Sequence, residues 1–183
     1  MQLKNIPKSN LKILKIIGSL TLILTLLFIL IYQLGYRVNI SESYPRGIYK
    51  SISKSTMKHG DFVMFCPKNG PLMQNALKRG YVLKGICDGG FYPLLKKVAA
   101  LQGDRVEVNE YVYINGEKQT KSRLHQYDPK GNPLPRTKDN NITVPKGYMF
   151  LLSDYHELSF DSRYLGLIEQ NTTISLMKPF YIF

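Results

Sequence analysis

The chain has 183 residues, 44% of them apolar, and a formal net charge of +12. This length allows one medium-sized domain with an appendage, and the lack of a visible repeat of 20–50 residues excludes a solenoid or propeller. No stripe of Lys and Arg alternates with aromatic residues, so we expect no nucleic-acid partner.

An uncharged apolar stretch near the amino end is the first predicted element. Residues 16–36 carry no charged side chain, and as a helix they would span roughly 31 Å, the thickness of a bilayer's hydrocarbon core. Basic residues lie mainly before this stretch: Lys4, Lys8, Lys12 and Lys15, against Arg37 after it. The positive-inside rule therefore predicts that the amino terminus is cytoplasmic.

This topology divides the chain into a cytoplasmic segment (1–15), a transmembrane anchor (16–36) and an extracytoplasmic domain (37–183). A cleaved signal peptide is the alternative, but its apolar part would be only about 7–15 residues long. The sequence QLGYRVN after the stretch also lacks an A-x-A-like cleavage site. The outer part has 21 basic and 13 acidic residues, which is typical of a solvated basic surface or of contact with anionic lipid.

Both cysteines, Cys66 and Cys87, lie in the outer part. In an oxidising compartment two thiols of one domain often pair, and a loop of about 20 residues closed in this way contributes on the order of 3 kcal/mol. We therefore predict a disulfide, with two buried free cysteines as the alternative.

The region after residue 44 reads as short strands separated by turns. Strand-like runs occur in GDFVMF, PLLKKVAALQGDRVEV, GYMFLL and ISLMKPFYIF, and the Asn-Gly of YVYINGEKQ predicts a hairpin. Only MQNALKR (73–79) is compatible with a short helix. Residues 120–145 are polar and contain four prolines, which predicts a surface excursion. The fold class is therefore mainly β, with an antiparallel domain attached to one N-terminal transmembrane helix.

The sequence offers few sites for metal or phosphate chemistry. Its three histidines, His59, His125 and His156, are isolated, and no Gly-rich phosphate loop is present. We therefore expect no metal and no cofactor. A Ser-His-Asp triad would need His156 with Asp154 or Asp161, but no G-x-S-x-G elbow supports it.

A Ser-Lys pair is the other route to a nucleophilic serine. It requires a lysine in an apolar setting, because only the neutral amine accepts a proton. Lys96 and Lys97 lie inside the apolar run LLKKVAAL. Both faces of that run are apolar, so alternation does not choose between them, and both lysines could instead reach solvent at an edge strand. The stretch SESYPRGIYK likewise offers two candidate serines, Ser41 and Ser43.

Four segments, in chain order, resemble the conserved boxes of type I signal peptidases: SESYPRGIY, HGDFVMF, LLKKVAALQGDRVEV and SFDSRYLG. These enzymes are membrane-anchored Ser-Lys proteases with a β-rich catalytic domain outside the cytoplasmic membrane. The resemblance is closer to the TraF-type branch, the conjugative-transfer peptidases that mature pilin precursors. It includes the N-x-S-x-S-x-P-x-G-x-Y pattern from Asn39 to Tyr49, the placing of the two cysteines, and the serine of SFDSRYLG. It extends from the anchor to about residue 168.

The resemblance implies a role for four residues of the serine and lysine boxes. Ser43 is similar to the family's nucleophile, and Lys96, eight residues before Asp104, is similar to the general base. Lys97 matches the adjacent basic residue. Ser41 matches a position whose hydroxyl assists the oxyanion hole in some members, where the backbone N–H of Ser43 would be the second donor.

The DSR box adds three supporting residues by the same resemblance. We expect Ser162 to hydrogen-bond the lysine, and an ion pair between Asp161 and Arg163 to hold the wall of the site. A purely structural polar cluster at a strand end is the alternative for all three.

The function implied is that of a serine endopeptidase anchored by one helix in the bacterial cytoplasmic membrane, with its catalytic domain on the periplasmic side. Its expected partners are the bilayer, a membrane-inserted pilin-like precursor and a conjugation or type IV secretion machinery. Ser43 lies seven residues beyond Tyr36, and seven extended residues reach about 25 Å at most. The alternatives are a housekeeping signal peptidase with broad secretory substrates and a catalytically idle assembly component of a secretion channel.

Overall fold

The structure is a computed structural model that describes residues 8–52, 56–138 and 140–183. Residues 1–7 of the segment expected to be cytoplasmic, Lys4 among them, lie outside the described residues. The chain divides into two compact units, one up to Arg37 and one from Val38 to Phe183.

The first unit consists mainly of one helix, α1 (Lys8–Gln33). Its stretch Leu11–Gln33 is long and apolar enough to cross a membrane, by length and composition. The helix ends shortly before Tyr36, the last residue of the predicted anchor. Gly35 has a positive φ of 88° and its N–H donates to the carbonyl of Tyr32, the backbone conformation with which a C-terminal glycine ends a helix.

The second unit is built mainly from short strands, numbered β1 to β11 in chain order over the described residues; only β1 begins before the unit does, by two residues. Their bounds are Tyr36–Asn39 (β1), Gly47–Ile52 (β2), Phe62–Phe65 (β3), Leu94–Ala100 (β4), Arg105–Val108 (β5), Val112–Ile114 (β6), Glu117–Lys118 (β7), Asn141–Thr143 (β8), Tyr148–Leu152 (β9), Ile168–Glu169 (β10) and Thr173–Ile182 (β11). Two short helices, α2 (Pro71–Arg79) and α3 (Ser162–Leu165), and a 3₁₀ turn (Gln170–Thr172) complete it.

The strands form two sheets. The larger has seven strands in the order β1-β2-β11-β3-β4-β9-β10, and the smaller has four in the order β7-β6-β5-β8. The strand pairs whose register is defined are all antiparallel. The prediction of a mainly antiparallel β fold with one N-terminal apolar helix is confirmed.

Strand β4 lies inside the larger sheet and packs on both of its faces. It pairs with β3 on one side and β9 on the other. Leu95 packs in a cluster with Tyr44 and Met177, whereas Val98 packs in a different cluster with Val63. The apolar character of both faces of LLKKVAAL therefore reflects two separate cores.

The segment 120–145 contributes buried groups as well as surface. Ser122, Asp128 and Thr137 are buried polar residues within it. The hydroxyl of Tyr81 donates to Asp128 Oδ2 at 2.7 Å, and this hydrogen bond is the main cause that holds the pKa of Asp128 well below its usual range. The segment is thereby attached to the part of the chain that follows α2.

Cys66 and Cys87 form a disulfide with a Cα–Cα distance of 5.6 Å. It joins the end of β3 to the loop before β4, with α2 in the closed loop. Crosslinks of this kind stabilise the folded state mainly by restricting the unfolded chain.

Candidate active site

Ser43, Lys96 and Ser159 bring three polar groups together at one point. Lys96 Nζ lies 2.5 Å from Ser43 Oγ and 2.5 Å from Ser159 Oγ. The two hydroxyl oxygens are themselves 3.1 Å apart. Ser43 comes from the loop after β1, Lys96 from β4 and Ser159 from the loop before α3, so the cluster forms only when the domain is folded.

Lys96 is a buried lysine, with 2% of its surface exposed. It lies opposite Val63 of β3 in the sheet register. Burial lowers its pKa to about 8; the carboxylate of Asp161 opposes this shift and the guanidinium of Arg163 adds to it. Because desolvation disfavours the ammonium form, the neutral amine is accessible at a far lower pH than for a solvated lysine, and about a tenth of the side chain is neutral at pH 7.

Lys97 points to the other side of the same strand. Its Nζ lies 2.5 Å from Asp154 Oδ2 and 5.3 Å from the ring centre of Phe62, and the side chain is 30% exposed. Hydrogen bonding to Lys97 is the largest cause that lowers the pKa of Asp154, against the opposing effect of burial. Strand alternation could not choose between these two lysines as the base. In the structure their surroundings differ, and only Lys96 reaches Ser43.

The backbone around Ser43 is held by groups from β9 and the loop after it. Ser153 Oγ donates to the carbonyl oxygen of Ser43 at 2.6 Å. The hydroxyl of Tyr44 donates to the carbonyl oxygen of Leu152 at 3.0 Å. Burial raises the pKa of Tyr44 above its usual range, so its hydroxyl stays protonated as a donor.

Ser41 lies beside the cluster in a narrow recess. The recess has a volume of about 60 Å³ and is lined by Ser41, Ser43 and Lys96. Its apolar walls include Tyr81, Leu83, Leu95 and Phe160. The hydroxyl of Ser41 donates to Asn39 Oδ1 at 2.7 Å. An oxyanion role for Ser41 therefore requires its hydroxyl to rotate away from Asn39.

Asp161 and Arg163 form a fully buried ion pair next to the cluster. Arg163 Nε lies 2.9 Å from Asp161 Oδ1, and both side chains are 0% exposed. The guanidinium also donates to the carbonyl oxygens of Arg123, Glu157 and Ser159. Arg163 thus links the segment 120–145 to the loop that carries Ser159.

The hydroxyl of Ser162 makes a different hydrogen bond from the expected one to Lys96. Its Oγ accepts a hydrogen bond from the backbone N–H of Leu151 at 2.9 Å. The reason is local: Asp161 caps α3, so Ser162 is the first helical residue and faces β9. The contact with Lys96 is made by Ser159, which sequence reasoning missed although it lies only two residues before Asp161 in SFDSR.

The residues of the alternative triad are occupied elsewhere. Asp161 pairs with Arg163, Asp154 pairs with Lys97, and His156 Nε2 lies 3.9 Å from Glu42 Oε2. Among the described residues, no group of three His, Cys, Asp or Glu side chains has the arrangement of a metal site.

Comparisons with known proteins agree with the four sequence boxes. The family described as "Signal peptidase, peptidase S26" matches residues 10–181. A plasmid transfer protein TraF of Escherichia coli is 35% identical over 149 residues, which cover 81% of this chain and 84% of the relative. A conjugal transfer protein TraF of Agrobacterium tumefaciens (strain 15955) is 36% identical over 150 residues, with 81% and 84% covered.

Proteins named signal peptidase match over shorter or more distant stretches. Signal peptidase IB of Staphylococcus aureus (strain N315) is 32% identical over 93 residues, covering 44% of this chain and 48% of the relative. A crystal structure of a signal peptidase I from Enterococcus faecalis V583 has 20% sequence identity and a TM-score of 0.41, covering 69% of this chain and 100% of that chain. From the family match and the long TraF alignments, this chain belongs to the S26 signal peptidase family and, within it, to the TraF-type branch.

Proposed function

We propose that this protein is a membrane-anchored serine endopeptidase with Ser43 as nucleophile and Lys96 as general base. The observation that carries the proposal is the contact between them: a buried amine 2.5 Å from a serine hydroxyl. A nucleophile and a base within hydrogen-bond reach, with a third group orienting the base, is the arrangement that activates a serine. Ser159 is that third group.

The proposed reaction has two steps. Neutral Lys96 takes the proton of Ser43 Oγ, which attacks the scissile carbonyl, and the resulting ammonium then gives the proton to the leaving amine. A water molecule deprotonated by the same lysine hydrolyses the acyl-enzyme, which releases the new carboxyl end and restores the serine. The oxyanion would be held by the backbone N–H of Ser43 and by the hydroxyl of Ser41 once it has rotated.

The supporting residues act on the position of this pair. Asp161 and Arg163 hold the carbonyl of Ser159 through the guanidinium, and Ser162 attaches the same turn to β9. Lys97 holds Asp154 near Tyr44, the residue that follows the nucleophile. We assign Asp161, Arg163 and Lys97 a positioning role, and Ser162 a structural one, because its bond to Leu151 stabilises the turn without touching the amine.

The proposed substrate is a membrane-inserted precursor, in particular a pilin-like subunit of a conjugative transfer or type IV secretion system. Three observations support this. The relatives that cover most of the chain are named as plasmid or conjugal transfer proteins. The recess beside Ser43, at about 60 Å³, suits small side chains before the cut. The candidate membrane span ends at Gln33, only ten residues before Ser43.

The proposed location follows from the helix and the charges around it. The four lysines before the uncharged stretch 16–36 favour an amino terminus in the cytoplasm and a catalytic domain on the periplasmic side of the cytoplasmic membrane. The two cysteines that pair in the outer domain agree with an oxidising compartment. We propose no cofactor, since the Ser-Lys chemistry needs none.

The test is cleavage by the full chain in detergent of a pilin precursor and of a panel of secretory preproteins. We expect Ser43→Ala and Lys96→Met to abolish cleavage, with Ser51→Ala and Lys178→Met as matched controls on β2 and β11 that leave it intact. Unchanged cleavage by both site variants would exclude the dyad. Cleavage of the whole panel would favour the housekeeping alternative, and no cleavage of any precursor by the wild type would favour an idle assembly component.

A further inference from the structure

One buried side chain, that of Asn39, bonds several backbone groups of the loop that carries the proposed nucleophile. The loop runs from Ile40 to Arg46, between β1 and β2, and contains no helix or strand. Asn39 is the last residue of β1 and is only 6% exposed. A buried amide needs partners for both of its ends, and Asn39 finds all of them in this loop.

The amide of Asn39 binds both ends of the loop at once. On the amino side, its Oδ1 accepts from the backbone N–H of Ser41 at 3.2 Å and from the Ser41 hydroxyl at 2.7 Å. On the carboxyl side, its Nδ2 donates to the carbonyl oxygens of Tyr44 and Pro45, each at 3.1 Å. Ser43 lies between the two sets of contacts, so its position depends on both.

No other side chain of similar size can make this set of hydrogen bonds. An aspartate keeps the acceptor for Ser41 but has no donor for the two carbonyl groups, and a leucine has neither. A glutamine has the same amide one methylene further from the backbone. The amide orientation is also fixed by chemistry, because three carbonyl oxygens surround Nδ2 whereas an N–H and a hydroxyl face Oδ1.

We propose that Asn39 is a positioning residue that holds Ser43 Oγ against Lys96 and sets the direction of the Ser41 hydroxyl. This inference rests on the proposed function for its catalytic consequence. A nucleophile displaced by about 1 Å loses on the order of 100-fold in rate even when the fold is intact. The Ser41 hydroxyl has one proton to donate, so in the resting enzyme its hydrogen bond to Asn39 Oδ1 occupies the donor that the oxyanion needs in the transition state.

The test compares Asn39→Leu and Asn39→Asp with Gln74→Leu in the full chain in detergent. Gln74 is a matched control, because its amide also bonds a loop carbonyl, that of Gly89, away from Ser43. The first readout needs no substrate: amide hydrogen exchange at Ser41. We expect Asn39→Leu to speed this exchange about tenfold, Asn39→Asp to leave it within threefold of the wild type, and Gln74→Leu to leave it unchanged.

The second readout is cleavage of a pilin precursor. We expect Asn39→Leu to lower kcat about 100-fold with KM within threefold of the wild-type value, in protein that stays folded at the assay temperature, and Gln74→Leu to leave both constants within threefold. Wild-type exchange at Ser41 in Asn39→Leu, or a kcat within threefold, overturns the inference. A failure of the proposed function looks different: Ser43→Ala then cleaves as well as the wild type, while the exchange measurement still decides whether Asn39 holds the loop.

Discussion

Ser159 Oγ lies 2.5 Å from Lys96 Nζ, as close to the amine as the hydroxyl of Ser43. Two neutral hydroxyl groups thus flank a buried amine, and one of them belongs to the proposed nucleophile. We assign the second an orienting role, because its carbonyl oxygen accepts from Arg163 and Ser159 itself does not line the recess beside Ser43. This relationship distinguishes a serine that would orient the amine from the proposed nucleophile.

We therefore expect Ser159→Ala to lower kcat by about 10- to 100-fold, less than the roughly 100- to 10,000-fold that a proton-transfer group itself contributes, with little change in stability. Ser162→Ala is the matched comparison three residues later. It leaves the buried N–H of Leu151 without its partner, which costs about 1–3 kcal/mol of stability, and kcat should change less than threefold. Precursor cleavage and thermal melting of both variants measure the contrast, and equal kcat losses would contradict it.

The pH dependence of cleavage follows from the buried amine. Below its pKa of about 8, Lys96 is protonated and cannot accept the proton of Ser43. The rate should therefore rise with pH and reach half of its maximum near pH 8. A rate that rises only near pH 10.4, the value for a solvated lysine, would contradict a buried base. The measurement is single-turnover cleavage between pH 6 and pH 10.

The same pKa predicts a pH-dependent effect of Lys96→Met on stability. The folded-state pKa of Lys96 is lowered from 10.5 to about 8, so the folded protein binds this proton more weakly than the unfolded chain. The resulting penalty, about 3 kcal/mol, is complete below pH 8 and disappears as pH rises to about 10.5. The stability advantage of Lys96→Met over the wild type should thus shrink by that amount across this interval. Urea unfolding followed by circular dichroism tests it, and a pH-independent difference would contradict the buried site.

Much of the fold could be predicted from local patterns. The length of the uncharged apolar stretch predicted helix α1, and the Asn-Gly pair predicted the hairpin between β6 and β7. Short apolar runs separated by turn residues predicted the antiparallel strands. These signals are local, since each depends on residues that are neighbours in the chain.

The site depends on contacts between distant parts of the chain. The choice between Lys96 and Lys97 came from family resemblance, because β4 packs into different cores on its two faces. The contact of Lys96 with Ser159 joins residues 63 positions apart. No periodicity encodes which of several nearby serines makes such a contact, and so Ser159 was missed and Ser162 was given its role.

The buried pair of Asp161 and Arg163 should matter far more for stability than the pair of Lys97 and Asp154. Removing the cation in Arg163→Met leaves Asp161 as an uncompensated buried charge, which costs about 3–5 kcal/mol. Lys97→Met breaks a pair in which both side chains are at least 30% exposed, and such pairs contribute about 1 kcal/mol or less.

Arg163→Lys then separates charge from geometry. A lysine keeps the positive charge beside Asp161 but lacks the planar fork that donates to the carbonyl oxygens of Arg123, Glu157 and Ser159. We expect it to recover less than half of the stability lost in Arg163→Met. The chain has no tryptophan, so urea unfolding is best followed by circular dichroism. Full recovery by lysine would mean that charge alone stabilises this wall of the site, because the three carbonyl contacts would then contribute nothing measurable.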